Sequence, residues 1–332
     1  MAYNLPILDG GYLDVSVKGL LNGREYATPV LNTFFKRKVY TPNDVVAVPK
    51  EVTDYDDILP LIDKNGSVPV AKGEWGGEDY NYYVLQAFGE VKVVTAQEIE
   101  DYRKQLMNLE GVAYQAKKVE IVNRIMGRTI QKVNATREKM ACQALSGKIT
   151  DKNGNVLFTF DIPAANNLGT KALSTNGDGL AVTLQEMKNK AIEATNYRGG
   201  FGYVVGRNAL LKIMKNDDFK SAMSYAGVGA NDQTQIVSGW FFGNEPYVVA
   251  NDWFYSKTGK KQFFNDDTLM LAPIDAFGEF YGNVFTKDGA HAEIPYIDTY
   301  DINNPDGLAI RTQVKTAPIV TVPNGIVTAT IS

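Results

Sequence analysis

Apolar side chains recur at helical intervals from Thr95 to Gly147, and this spacing predicts one very long helix. Thr95 stands three residues before Glu98, as in a capping box, where each side chain satisfies the other residue's free backbone N–H. Gly147 marks the predicted end, because glycine enters the left-handed conformation without a Cβ penalty. At 1.5 Å per residue, about fifty residues span roughly 75 Å, more than a compact domain needs. The apolar positions are Ile99, Tyr102, Leu106, Leu109, Ala113, Ala116, Val119, Val122, Met126, Ile130, Val133, Met140 and Ala144.

The apolar face of this predicted helix does not stay on one side. Its centre shifts by roughly 120° between the half that ends at Ala116 and the half that begins at Val119, since the apolar spacing averages nearer 3.5 than 3.6 residues. Different partners must therefore cover the two halves. Gly111 and Gly127 lie inside the run, where each costs about 1 kcal/mol relative to alanine, so a bend near one of them fits the pattern.

Basic side chains lie opposite the second apolar face, at Lys117, Arg124, Arg128, Lys132 and Lys139. One interpretation is a face that contacts only water. The other is a surface that meets acidic faces of neighbouring subunits or nucleic acid. A coiled coil is disfavoured, because the basic, alanine-rich interior and the two glycines argue against sustained heptads.

Two extended stretches precede the helix. Val45 to Val52 is β-branched, and Tyr80 to Val94 alternates apolar and polar residues, which predicts a long antiparallel hairpin. An isolated two-stranded hairpin is marginal in water, so we expect this one to be stabilised by another chain. Its tip could hold calcium or perform acid/base chemistry, but no EF-hand spacing or second motif accompanies it. The tip is acidic, with Asp54, Asp56, Asp57, Asp63, Glu74, Glu78 and Asp79.

The rest of the chain reads as an arm followed by alternating short elements. Residues 1 to 44 show no sustained period, and only Tyr12 to Val17 alternates like a strand, so an arm that packs on something else is expected. Residues 163 to 179 are small and polar, which predicts a loop. The other predicted elements are a hairpin over Lys148–Ile162 about Asn153-Gly154, helices over Thr183–Thr195 and Asn208–Tyr225, short strands over Gly239–Pro273, and closing strands over Leu308–Val322 and Ile326–Ile331.

Composition and charge narrow the function classes. The chain of 332 residues is 44% hydrophobic and 22% charged, as in ordinary folded proteins. Residues 95 to 148 carry ten Lys/Arg against six Asp/Glu, or +4, so the net charge of −4 leaves −8 elsewhere. An acidic total argues against a dedicated nucleic-acid binder. The glycines from Gly199 to Gly206 precede a strand, whereas a dinucleotide site needs them after one.

The single cysteine and single histidine exclude several chemistries. Cys142 cannot form a disulfide within the chain, and with His291 it cannot complete a Cys/His zinc site. We expect Cys142 to be a buried structural thiol and His291 to lie in a loop or on the surface. A Ser-His-Asp triad would have to use His291 alone. Neither a signal peptide nor a membrane-spanning segment is predicted.

Three motifs resemble one known family. Ala144-Leu145-Ser146-Gly147-Lys148 resembles that family's exit from its spine helix, and Phe263 to Leu271, followed by Tyr281-Gly282, resembles its aromatic strand. Thr316-Ala317-Pro318-Ile319 is similar to its carboxy-terminal pattern. The family is that of the major capsid proteins of tailed bacteriophages with the Hong Kong 97 fold, and within it the chain resembles the lambda-like major head proteins. Asn265 stands where that family commonly has proline, and the first ninety residues match in layout only.

The resemblance implies an α+β Hong Kong 97-like fold with an N-terminal arm, an extended β-hairpin loop, a long spine helix, and peripheral and axial domains. It implies no catalytic centre and no cofactor. The boundaries that it implies are 1–44 for the arm, 45–94 for the extended loop, 95–179 and 306–332 for the peripheral domain with the spine helix, and 180–305 for the axial domain.

The function that the resemblance implies is a major capsid protein that self-assembles into an icosahedral shell around viral DNA. Its partners would be further copies as hexamers and pentamers, scaffold, portal and decoration proteins, and double-stranded DNA held by non-specific contact. Assembly would occur in the host cytoplasm and place the chain in the virion, without a membrane. The candidate subunit-interface residues are Asp54, Asp56, Asp57, Asp63, Glu74, Glu78, Asp79, Lys117, Arg124, Arg128 and Lys132.

Two other functions remain open on the sequence alone. An encapsulin-like bacterial compartment shares the fold and would enclose cargo protein in place of nucleic acid. An enzyme of unknown class would use the acidic cluster as its centre, but nothing in the sequence pairs that cluster with a base, a metal motif or a phosphate loop.

Overall fold

A computed structural model describes most of the chain, and its residues form two compact units. Unit 1 comprises Met1–Asp44, Leu85–Cys142 and Glu279–Pro318, and unit 2 comprises Val45–Val84, Gln143–Gly278 and Ile319–Ser332. The division into arm, loop, peripheral and axial domains stays a prediction. The described residues are 2–5, 13–16, 28–49, 80–173, 179–195, 197, 199–216, 238–241, 245–250, 253–256, 259–286, 289–291, 295–303 and 306–332.

Strands outnumber helices along the described chain. The first half contains β1 (Ala2–Leu5), β2 (Leu13–Ser16), α1 (Pro29–Phe34), β3 (Arg37–Tyr40), β4 (Val45–Pro49), β5 (Tyr80–Val84), β6 (Ala87–Thr95), α2 (Ala96–Leu106), α3 (Gly111–Leu145), β7 (Lys148–Thr150), β8 (Val156–Thr159) and β9 (Asn167–Lys171). The second half contains α4 (Leu180–Thr195), β10 (Phe201–Gly206), α5 (Arg207–Lys215), β11 (Ser238–Phe241), β12 (Glu245–Ala250), β13 (Trp253–Ser256), β14 (Gly259–Gln262), β15 (Thr268–Pro273), β16 (Gly278–Tyr281), β17 (Val284–Thr286), β18 (Gly289–His291), β19 (Tyr296–Asn303), β20 (Asp306–Ile319) and β21 (Val327–Ile331).

The prediction of one continuous helix is wrong, because α2 and α3 are separate. The capping box that starts α2 is confirmed: Thr95 Oγ1 accepts the Glu98 N–H at 3.3 Å, and Glu98 Oε2 accepts the Thr95 N–H at 2.9 Å. The helix ends at Leu106, and the chain turns into α3 at Gly111, whose φ of 56° is left-handed. Helical periodicity continues across so short a break, which is why the pattern concealed it. Gly127 lies inside α3, and Gly147, with φ 92°, ends the segment as predicted.

A six-stranded sheet forms the centre of unit 2, in the order β11-β12-β10-β15-β21-β9. Strand β10 is buried along its whole length, and it pairs in parallel with β12 and antiparallel with β15. Helices α4 and α5 contribute Leu184, Met187 and Ile213 to a core with Tyr203 and Leu271. The aromatic strands and the closing strand β21 were predicted here. Helix α5 ends at residue 215, and the rest of the helix predicted to Tyr225 lies outside the described residues.

The predicted loop over residues 163 to 179 is wrong in its first half. A 3₁₀ turn over Ala164–Asn166 leads into β9, which pairs in parallel with β21. The amide of Asn166 donates to the carbonyls of Asn324 at 2.7 Å and Ile326 at 3.1 Å. Small polar residues favour loops on average, but here one buried amide satisfies two distant backbone groups and orders the segment.

A five-stranded sheet forms the centre of unit 1. Its order is β19-β20-β16-β3, and β6 also pairs with β20. The stretch predicted as one strand from Tyr80 to Val94 is therefore two strands. Strand β5 pairs with β4 as predicted, whereas β6 pairs with β20 from Thr95–Gly307 to Ala87–Lys315. An alternating pattern indicates a strand but not its partner, so the sequence concealed the change of sheet at Leu85.

The arm contributes to the core of unit 1. Val30, Leu31, Phe34 and Phe35 are at most 2% exposed. The carboxylate of Glu138 on α3 accepts the backbone N–H groups of Val30 at 2.8 Å and Leu31 at 3.0 Å. These are free donors at the N-terminus of α1, so a side chain about a hundred residues away caps this helix.

Candidate assembly surfaces

The β4–β5 ribbon has two apolar faces, and the described residues bury one of them while the other stays at least one-third exposed. On the covered face, Val46, Val48 and Tyr83 are 4 to 7% exposed, and the Tyr83 ring lies 5.8 Å from Phe158 and 5.2 Å from Phe160. The pairing register places alternate residues on the opposite side, which we call the ribbon face. It consists of Val45, Tyr80, Tyr82 and Val84, which are 40, 37, 67 and 57% exposed.

An exposed row of large apolar side chains on an ordered strand needs an explanation. Burying one such side chain fully is worth about 1.5–3 kcal/mol, and monomeric proteins rarely expose contiguous apolar patches. The ribbon face therefore has the character of a surface that another protein covers. Sequence reasoning placed the interface at the acidic tip and missed this face. The available signal was that β4 is apolar at every position from Val45 to Val48, which indicates burial on both faces of the strand.

A second exposed apolar row crosses the five-stranded sheet and is called here the sheet face. Strand pairing aligns Val93 with Ala309 and Tyr300, and it aligns Val91 with Arg311 in the next row. Val91, Val93 and Tyr300 are 49, 37 and 40% exposed.

An ion pair borders the sheet face. Arg311 Nε donates to Asp298 Oδ1 at 2.9 Å, and the guanidinium lies 5.7 Å from the centre of the Tyr300 ring. The hydrogen bond to Asp298 raises the pKa of Arg311, so the cation stays charged beside the apolar row. A polar rim next to apolar side chains is the usual anatomy of a protein interface.

The basic residues predicted on the long helix are mostly paired within unit 1. Lys117 and Arg124 both bind Glu120, at 3.0 and 2.7 Å, and their hydrogen bonds lower the pKa of that carboxylate. Arg128 is exposed. Lys139 is 8% exposed, so its predicted place on a surface opposite the apolar face is wrong. Its position close to the end of α3 puts it in the most buried part of the helix.

Lys132 pairs with a carboxylate on the neighbouring strand. Its Nζ lies 2.6 Å from Glu90 Oε2, and the Thr129 hydroxyl donates to Glu90 Oε1 at 2.8 Å. Partial burial raises the pKa of Glu90, but the hydrogen bonds from Lys132 and Thr129 outweigh it and lower the pKa.

The acidic half of the predicted interface lies outside the described residues. Nothing in the described chain therefore brings the acidic and basic sets together, and their pairing stays a prediction. The residues concerned are Asp54, Asp56, Asp57, Asp63, Glu74, Glu78 and Asp79.

A buried charge network on α3 was not predicted. Arg137 Nε donates to Glu279 Oε1 and Nη2 donates to Oε2, both at 2.7 Å, and Glu279 is 1% exposed. The Thr316 hydroxyl lies 3.1 Å from Glu279 Oε1. The only sequence signal was the adjacent pair Arg137-Glu138 in an apolar part of the helix, since the partners are more than a hundred residues away.

The remaining candidates for chemistry are built into the packing. Cys142 is 1% exposed, as predicted, and the His291 ring stacks on Tyr296 with centroids 4.1 Å apart. Within the described ranges, no group of three or more His, Cys, Asp and Glu could hold a metal ion. No helix in the described part of the chain is long and apolar enough to cross a membrane.

Solved structures share this fold across nearly the whole chain. A prophage capsid protein from E. coli CFT073 has 15% identity and a TM-score of 0.61, and the match covers 100% of both chains. A phage-related protein from Bordetella bronchiseptica RB50 has 11% identity and a TM-score of 0.53, covering 99% of this chain and 98% of that one. The procapsid of satellite phage P4 with its size determination protein has 12% identity and a TM-score of 0.52, covering 96% and 91%. The chain therefore has the α+β Hong Kong 97-like capsid fold.

The family model for phage major capsid protein E matches residues 22–331. The chain belongs to this family, and it is a phage major capsid shell protein, as the resemblance implied. A comparison with curated proteins finds no match.

Proposed function

We propose that this chain assembles with further copies of itself, as hexamers and pentamers, into a closed icosahedral shell around viral DNA. The ribbon face carries this proposal. It presents four large apolar side chains, 37 to 67% exposed, on a strand pair whose other side is already packed. A neighbouring subunit that covers this face would supply the burial that the ribbon lacks in one chain.

The predicted interface residues fit the same arrangement. The acidic residues that were predicted to form the hairpin tip lie between β4 and β5 in the sequence, so covering the ribbon face would bring them near the same neighbour. We propose that the tip contacts basic side chains of that subunit, among them Arg128. Lys117, Arg124 and Lys132 can exchange their internal carboxylate partners at little cost, since exposed ion pairs contribute little to stability.

The wider biology follows from the family. We propose that scaffold, portal and decoration proteins act with the shell, that assembly occurs in the host cytoplasm, and that the chain ends in the virion. Its role is structural rather than catalytic. The division into an arm, an extended loop, a peripheral domain with the spine helix and an axial domain belongs to the same proposal.

Substitution of Tyr82 tests the ribbon face. Tyr82→Asp should leave the thermal melt unchanged, because the side chain is 67% exposed, and should abolish closed particles in electron micrographs. Val156→Asp is the matched control, since Val156 is 55% exposed on β8 of the same unit and should assemble like the parent. Normal particles from Tyr82→Asp would contradict the proposed role of the ribbon face.

The contents of the particles separate the two shell hypotheses. Particles purified from infected or lysogenic cells should retain nuclease-protected double-stranded DNA. Particles that instead enclose a single cargo protein and no nucleic acid would favour the encapsulin-like alternative.

A further inference from the structure

Three consecutive cations stand at one edge of the unit 1 sheet as its described strands form it. Lys36, Arg37 and Lys38 follow directly after the buried Phe34 and Phe35, and all three are exposed. Strand β3, which Arg37 opens, is the last strand in the order β19-β20-β16-β3. The buried phenylalanines thus fix the backbone from which this cluster, called here the β3 edge, projects.

The positive charge of the β3 edge is not neutralised by neighbouring acidic side chains. No acidic residue occurs between Glu25 and Asp44 in the sequence. Across the described ranges, no salt bridge involves Lys36, Arg37 or Lys38, whereas Lys117, Arg124 and Lys132 on α3 are paired with Glu120 or Glu90. Three like charges at consecutive positions repel one another, so an external polyanion would bind here favourably.

The spacing of these cations suits a nucleic-acid backbone. A strand rises about 3.3 Å per residue, and one strand of duplex DNA carries one phosphate per about 3.4 Å along the axis. Successive side chains of β3 point to opposite faces, so Arg37 and Lys38 lie on opposite sides of the edge, and Lys36 directly precedes the strand. An edge strand also has unpaired backbone N–H groups, and such groups commonly contact phosphate oxygens.

An acidic peptide fits the same edge less well. Peptides that add a strand to a sheet edge gain specificity from pockets for alternate side chains. The exposed positions of β3 are cationic except for Tyr40. That residue is already engaged, because its hydroxyl donates to Asn283 Oδ1 at 2.9 Å and its ring lies 5.5 Å from that of Tyr281.

We propose that the β3 edge binds the phosphate backbone of duplex DNA on the inside of the shell, without reading its sequence. This inference rests on the proposed function, since the ligand is the DNA that the shell encloses. Non-specific phosphate contacts at one edge are compatible with a chain whose net charge is −4. They require only a local cluster of cations, because screening limits interactions to about a Debye length.

The salt dependence of DNA binding tests the β3 edge. Fluorescence anisotropy would measure binding of the unassembled full-length chain to a labelled random-sequence duplex over a series of salt concentrations. Each neutralised phosphate contributes about 0.9 to the slope of log affinity against log salt. We therefore expect Lys36→Gln/Arg37→Gln/Lys38→Gln to lower the slope by about 2.7 and Lys38→Gln alone to lower it by about 0.9.

Matched variants separate the site from total charge. Lys152→Gln/Lys260→Gln/Lys261→Gln removes three exposed cations from unit 2 and should leave most of the slope intact. Lys36→Arg/Lys38→Arg keeps the charge and should bind like the parent. Should the triple variant of the edge fail to fold by circular dichroism, the single Lys38→Gln variant decides the question.

Each outcome of these binding measurements supports or contradicts the proposed DNA site. A slope unchanged in both edge variants, or lowered equally by the unit 2 control, overturns the proposal. So does a parent chain that binds poly-glutamate more tightly than duplex DNA, which would point to an acidic protein partner. Electron microscopy of the same samples reports on the proposed function separately. Shells without the edge-dependent slope refute the DNA site alone, and an edge-dependent slope without shells refutes the shell alone.

Discussion

Removing the guanidinium of Arg137 should strongly destabilise unit 1. Arg137 makes two 2.7 Å hydrogen bonds to Glu279, and the two side chains are 12% and 1% exposed. Arg137→Met would leave Glu279 with only the Thr316 hydroxyl, 3.1 Å from Oε1. Breaking a buried ion pair by removing one partner costs about 3–5 kcal/mol, because a buried charge is left uncompensated. We therefore expect the free energy of unfolding to fall by about that amount.

A double variant separates the value of the pair from the cost of breaking it. Arg137→Met/Glu279→Met removes both charges and replaces them with apolar side chains of similar length. Such replacements are often neutral or stabilising by about 1–4 kcal/mol, so the double variant should be at least as stable as the parent. Equilibrium urea unfolding, followed by circular dichroism, would measure all three chains and give the coupling free energy.

An exposed ion pair provides the control. Lys132→Met breaks the ion pair with Glu90, in which the two side chains are 67% and 35% exposed. This substitution should lower the free energy of unfolding by at most about 1 kcal/mol. The reasoning is refuted if Arg137→Met costs no more than Lys132→Met. It is refuted equally if the double variant is as unstable as Arg137→Met, because the loss would then come from packing rather than from an unpaired charge.

Three further predictions concern single positions. Gly127→Ala should raise the free energy of unfolding by about 1 kcal/mol, since no atom beyond its chain neighbours and its own helix backbone lies within 4 Å of the added Cβ. Gly206→Ala should lower the free energy of unfolding by at least about 1–3 kcal/mol, because the Cβ would lie 2.3 Å from the Asn265 carbonyl oxygen. The reverse order in urea unfolding would contradict both expectations. The pKa of Glu90 is lowered from 4.5, so the stability that its charge contributes is present above that pH and is lost as the pH falls through the lowered pKa. In thermal melts, Glu90→Gln should therefore be less stable than the parent near pH 7 and equally stable in strong acid. A stability difference that does not change with pH would count against this prediction. Tyr203→Phe loses the 2.9 Å bond to Glu245 and should cost about 1.5–3 kcal/mol in urea unfolding, and a neutral effect would show that this bond adds nothing.

Local signals in the sequence determined much of the secondary structure. The capping box at Thr95, the left-handed glycine at Gly147 and the hairpin about Asn153-Gly154 all form as predicted, because each depends on residues within about four positions. The closing strands β20 and β21 likewise follow from β-branched runs bounded by turn residues. Motifs of this local kind also carried the resemblance to phage capsid proteins, and hence the function.

Partners distant in sequence were decided only by the tertiary structure. Apolar alternation marks β5 and β6 equally, yet one pairs with β4 and the other with β20, because periodicity records burial and not the identity of a neighbour. The same holds for Glu138, which caps α1, and for Arg137, which pairs with Glu279. Their partners lie 107 or more residues away, and only packing brings them together.

Some of the candidate assembly surfaces could be predicted from the sequence, and others could be found only in the folded structure. Sequence alone pointed to the acidic tip and the helix cations, because charge is visible in composition. The ribbon face and the sheet face could be recognised only in the folded structure. An apolar residue on a strand produces the same sequence pattern whether its own chain or a second chain covers it. Exposure is a property of the folded surface, and only the tertiary structure could show that Tyr82 and Val91 remain uncovered within one chain.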